Sequence, residues 1–243
     1  MNTTTIVLYV ATGLLMVDSI TELSLISSMV AWLHSRAGRA FEVHDGAGGQ
    51  FSLHGKPENL IVYQGHASNG AGGTAFIVVG LGGILSLWLR SRQLKREGSI
   101  RGIVRGLYNF WLTMTVLSAI YSLASFVFVL VVTYSHHGQS IDINVAAELN
   151  NHPYPDYVAY PLLEWTPQGW FSAVLQLPLV SESARSDIET QLCAMRAWEG
   201  NLIPMTILGF VVMVLAFTDR RVQRDVARYD LVRREKEGAA WML

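Results

Sequence analysis

Four stretches of the chain are apolar and almost free of charge: Ile6 to about Leu33, Thr74 to Leu89, Leu107 to Tyr134 and Leu202 to Thr218. A helix crossing some 30 Å of hydrocarbon at 1.5 Å per residue needs about 20 such residues. The first and third meet that length outright. The second and fourth are short and must borrow from their flanks.

The intervening segments carry a different pattern. Between spans one and two, apolar and polar positions alternate in Gln50-Phe51-Ser52-Leu53-His54, with a further apolar run at Leu60-Ile61-Val62-Tyr63 and glycines at 46, 48, 49, 55 and 65. Period-two alternation broken by glycine predicts short strands and turns. A small antiparallel sheet is expected from Phe41–Val43, Gln50–His54 and Leu60–Tyr63, joined by Ile141–Asn144. The second long segment interleaves Tyr154, Tyr157, Tyr160, Trp165, Trp170 and Phe171 with Pro153, Pro155, Pro161, Pro167 and Pro178. That proline density excludes a long helix, and the aromatic residues favour a compact loop against the headgroups. Ser181 to Trp198 reads as an amphipathic helix with Ile188, Leu192 and Met195 on one face, ended by Gly200 and followed by Pro204.

The fold class expected is a mainly α membrane protein: a four-helix transmembrane bundle with a small extracytoplasmic β-sheet and an amphipathic helix in the second exposed loop. The whole chain, 1–243, reads as a single tetraspan domain. Composition agrees, since 15% charged residues and a mean hydropathy of +0.30 contrast with the roughly 25% charge of soluble domains. Cys193 is the single cysteine, so no intramolecular disulfide is available. The first apolar run exceeds the roughly 7–15 residues of a signal-peptide core and is expected to be a retained span.

Charge placement orients the spans. Arg90 to Arg105 holds six basic residues (Arg90, Arg92, Lys95, Arg96, Arg101 and Arg105) against Glu97, and the tail from Asp219 holds seven basic against five acidic. His34 to Gly73 has three of each, and Ser135 to Asn201 has two basic against eight acidic. Positive residues stay on the cytosolic side, so 90–106, the tail 219–243 and the N-terminus are expected there, with loops 34–73 and 135–201 opposite. All seven histidines then lie on the non-cytosolic side, and the sequon at Asn2 faces the cytosol unused. The location expected is a plasma membrane or endomembrane.

Three stretches carry a family resemblance: Gln64 to Phe76 entering span two, Trp165 to Leu175 in the long loop, and Trp198-Glu199-Gly200-Asn201-Leu202-Ile203-Pro204 entering span four. They resemble a large group of filamentous-fungal four-span membrane proteins, over most of the chain. That family carries no assigned chemistry, so the resemblance implies topology and fungal origin and names no activity. Members of such families neighbour secondary-metabolite genes, which implies an association with such a pathway. The layout is also similar to that of claudins, but claudins carry a cysteine pair in the first exposed loop and this loop has none.

Asp18 and Glu22 are the only charged residues inside a span, four apart and therefore on one helix face. An ionisable group at that depth costs roughly 2.5–3.5 kcal/mol on insertion scales and faces the bundle or water. Two adjacent carboxylates raise each other's pKa, which suits a proton donor. The plainer reading has them hydrogen-bonded to Ser, Thr, Asn109 or Tyr121 on neighbouring spans, joining the bundle. Gly73, Gly80 and Gly83 share a face, for close helix packing or a lipid groove. His136, His137, Asp142, His152 and Asp156 offer nitrogen and oxygen ligands without helical spacing, so they read as solvated loop residues. No nucleotide, hydrolase or zinc-peptidase motif occurs, and no cofactor, metal or nucleic acid is expected. The expected partners are the lipid bilayer and a protein met through the exposed loops, a second copy included. Two readings stay open: a non-enzymatic membrane organiser or accessory protein, and a small intramembrane cyclase or isomerase of a lipophilic metabolite with Asp18 or Glu22 as proton donor.

Overall fold

The computed structural model describes residues 3–36, 39–46, 48–97, 102–155 and 164–240. Asn2, Arg101, Asp156, Tyr157, Tyr160 and Pro161, which figure in the sequence reading, lie outside them. In chain order the elements are α1 (Thr3–Arg36), β1 (Ala40–His44), β2 (Gln50–His54), α2 (Tyr63–Gly73), a π-helix (Thr74–Leu81), α3 (Gly82–Glu97), α4 (Gly102–Ser135), α5 (Ile143–Leu149), α6 (Pro167–Val174) and α7 (Glu182–Ala240). Four helical stretches are long and apolar enough to cross a membrane: Thr3–Arg36, Tyr63–Arg96, Gly102–Ser135 and Glu182–Val226. The chain has the make-up of a multi-pass membrane protein.

The chain divides into two compact units, and the divisions fall inside each long helical stretch. The first comprises 1–18, 74–120 and 205–243. Its interior is apolar at Leu8, Leu15, Val79, Leu87, Trp111, Leu112, Val212 and Ala216, all buried. Within the π-helix, Val79 O accepts from Trp111 Nε1 at 3.0 Å. Small residues set the helix spacing here: a Cβ on Gly83 would lie 2.8 Å from the Trp111 indole, and one on Gly80 would meet the Met16 side chain. Gly73, expected on the same packing face, has open space around it.

The second unit comprises 19–73 and 121–204. Its sheet is the β1–β2 hairpin, paired from Ala40↔His54 to His44↔Gln50. Alternation buries Phe41, Val43, Phe51 and Leu53 on one face, as the pattern predicts. The other two expected strands are absent among the described residues. Leu60 makes one isolated bridge to Trp165 before α2 begins at Tyr63. At 141–144 the chain turns into α5 instead, because the Asp142 side chain accepts from Asn144 N and starts a helix.

Three further differences have physical causes. The glycine-rich stretch before Thr74 is helical, since small residues let α2 approach its neighbours: a Cβ on Gly70 would overlap the Tyr121 hydroxyl. The described aromatic residues of the compact loop pack into a protein core. Tyr154, Trp165, Trp170 and Phe171 are all buried, with Trp165 and Trp170 edge to face at 5.2 Å and Phe171 against Trp32 at 4.6 Å. The amphipathic segment does bury Ile188, Leu192 and Met195, but it is the opening of α7 rather than a separate helix. Gly200 keeps a negative φ and does not cap. Proline at 204 crowds the carbonyl four residues earlier, which here belongs to Gly200, where no side chain hinders adjustment.

Candidate functional site

Glu22 is fully buried in the second unit, where α1 faces α2 and α7. Asn201 Nδ2 donates to its Oε2 at 3.0 Å, and the carboxylate stem packs beside Gly72. The surrounding contacts are also side-chain to side-chain or side-chain to backbone links between helices. Trp198 Nε1 donates to Ser68 Oγ at 3.0 Å, Ser125 Oγ to Ala67 O at 3.2 Å, and Thr133 Oγ1 to Glu199 Oε1 at 2.5 Å. Such hydrogen bonds hold helices together where both sides of an interface are otherwise equally apolar.

Asp18 belongs to the first unit and is half-buried. Neither it nor Glu22 lines either of two cavities. One, in the first unit, is walled by Val78, Gly82, Leu85, Ser86, Leu107, Phe110 and Trp111. The other lies in the second unit between α1, the start of α2, α4, the N-terminus of α6 and α7, with Gln64 and Gln168 among apolar walls. Asn201, a partner of Glu22, lies outside the expected set of Ser, Thr, Asn109 and Tyr121.

A charged cluster in the first unit was legible only as part of the topology signal. Arg90 and Asp219 are both buried, and Arg90 Nη2 donates to Asp219 Oδ2 at 2.5 Å. Thr5 Oγ1 donates to the other carboxylate oxygen at 2.6 Å, and the Tyr108 hydroxyl lies 3.3 Å from Oδ2. The guanidinium also sits over the Tyr108 ring, 4.4 Å from its centroid. The signal for this pair was the first basic residue after span two and the first acidic residue after span four. Each was counted, and nothing in one sequence paired them.

On the hairpin side, Tyr154 Oη accepts from Asp142 N at 3.0 Å, and burial pushes its phenol pKa up. Arg36 and Trp32 both donate to Asp187, tying the end of α1 to the opening of α7. His136 Nδ1 meets the carbonyl of Val132, four residues back in α4. Among the described residues no three of His, Cys, Asp and Glu gather as a metal site.

No protein-family model, curated protein or solved structure matches the chain.

Proposed function

We propose that this multi-pass membrane protein is a non-enzymatic organiser or accessory, with both termini and the Arg90–Arg105 segment in the cytosol and the hairpin, α5 and α6 on the opposite side. The observation that carries the reading is Glu22: a carboxylate with a fixed Asn201 donor, enclosed between helices and outside both cavity walls. A proton donor must reach its substrate within hydrogen-bond distance. A helix tether needs only its partner. The aromatic interior beneath the hairpin supports the same reading, because it gives the exposed segments a fixed shape with which to meet a partner.

Amide and apolar substitutions separate the two roles. Glu22→Gln retains an oxygen for Asn201 and cannot exchange a proton, whereas Glu22→Leu removes the acceptor and costs about 1–3 kcal/mol. The expected outcome is normal membrane abundance and full complementation of a gene deletion by Glu22→Gln and Asp18→Asn, with reduced abundance for Glu22→Leu. Amide variants that accumulate normally yet fail to complement would overturn the organiser reading in favour of proton chemistry.

A further inference from the structure

The cavity of the second unit has walls of one kind and polar groups of another. Ile26, Met29, Val30 and Leu33 of α1 supply one apolar side, with Val62 and Met195 opposite. Val30 and Val62 remain about two-fifths exposed, so the rim continues onto an apolar surface. Seven residues separate Ile26 from Leu33, giving a depth of about 10 Å along α1.

Most polar groups at the walls are already engaged. Thr133 Oγ1 donates to Glu199, Thr166 Oγ1 accepts from Gly169 N, and Trp198 Nε1 donates to Ser68. Two are not. Gln64, only 4% exposed, and Gln168 each hold a buried side-chain oxygen with no hydrogen-bond partner among the described residues. A buried acceptor left unmet is costly, so an occupant that supplies a donor is favoured. The last torsion of a glutamine is broad, and either oxygen can turn to meet a donor at the wall.

We propose that this cavity binds the hydroxyl end of an uncharged membrane lipid alcohol. The donor satisfies Gln64 or Gln168. Among the described residues no Lys, Arg, Asp or Glu lines the cavity, which disfavours a charged headgroup that would lose hydration without a counter-charge. At about 50 Å³ the cavity takes one end of such a molecule, and the remaining hydrocarbon lies outside along the apolar rim. This site is separate from the Glu22 tether and from the organiser reading.

The test uses the full-length protein reconstituted in phosphatidylcholine vesicles. One probe is a long-chain alcohol bearing a diazirine close to its hydroxyl; the other is its methyl ether, which keeps the chain and loses the donor. After irradiation, mass spectrometry locates the adducts. The alcohol is expected to label peptides containing Met29 or Met195, to be displaced by excess unlabelled alcohol, and to exceed the ether about tenfold. Gln64→Leu should bring alcohol labelling down towards the ether's, and Met29→Trp, which fills the space, should abolish it. If either variant misfolds, as judged by circular dichroism, the comparison of the two probes on the unaltered protein still decides. Equal labelling by both probes, absent labelling, or adducts confined to other surfaces would overturn the proposal and leave the cavity to water or unselective lipid.

Discussion

Removing the carboxylate of Asp219 exposes how the first unit is held. In Asp219→Leu, Arg90 stays buried over Tyr108 with its counter-charge gone, and Thr5 loses the oxygen it donates to. Breaking one side of a buried pair costs about 3–5 kcal/mol, because the surviving charge is left in a poorly solvating place. Arg90→Met strands the carboxylate instead, but Thr5 and Tyr108 still donate to it, so its cost should sit near the lower end. With roughly 2–4 °C per kcal/mol for a chain of this size, the single variants should lose about 6–20 °C in melting temperature. Intrinsic tryptophan fluorescence in detergent micelles follows the transition. The double variant removes both charges and should fall far less than the sum, since an apolar pair often replaces a buried ion pair at little cost. A double variant that loses the full sum would show the two residues to be uncoupled and would refute the argument.

Three other outcomes follow from the geometry. Gly83→Ala drives a methyl group into the rigid Trp111 indole and should cost about 1–3 kcal/mol, while Gly80→Ala overlaps chiefly the Met16 side chain, which unlike an indole can change rotamer, and should cost less; paired thermal melts compare them. Tyr154→Phe should lose about 0.5–1.5 kcal/mol at neutral pH. Because the folded state raises the Tyr154 pKa above 10.0, the neutral phenol's contribution is present below that pH and is lost as pH rises through the folded value, so the Phe variant should show a shallower alkaline decline. For the proposed topology, tags on both termini should be digested by protease added to the cytosolic face, and tags in the hairpin turn should be protected.

The parts of the fold that one sequence reveals are those governed by local period. Phe41, Val43, Phe51 and Leu53 alternate, and they form the buried face of the hairpin. Ile188, Leu192 and Met195 recur at helical spacing and are buried. What eluded the pattern depends on contacts distant in the chain. Glycines 65, 70, 72 and 73 mark a loop by propensity but sit in a helix, and at Gly70 the Tyr121 side chain comes too close for any larger residue. The Pro-rich segment suggested a surface loop, while Trp165 and Trp170 close a core with Tyr154 that no periodicity encodes. For the candidate site, Glu22 stood out by charge alone; its Asn201 partner lies 179 residues away and carries no comparable signal. Gln64 opens a stretch that carries the family resemblance but gives no sign of a site, since an uncharged amide before a glycine run looks like ordinary loop polarity.

The π-helix at Thr74–Leu81 fixes more than a local hydrogen-bond pattern. A wider turn is an extra residue accommodated without a loop, and it sets the angular phase with which α3 leaves it. Deleting one residue there would let the stretch become α-helical with its phase kept, whereas straightening it at the same residue count would turn everything after it by about 100°. Gly83 would then point away from the Trp111 ring and Arg90 away from Asp219. Length in this segment is therefore under the same constraint as residue identity. In this uncharged stretch of eight residues the residue count and the width of the turn are thus fixed together.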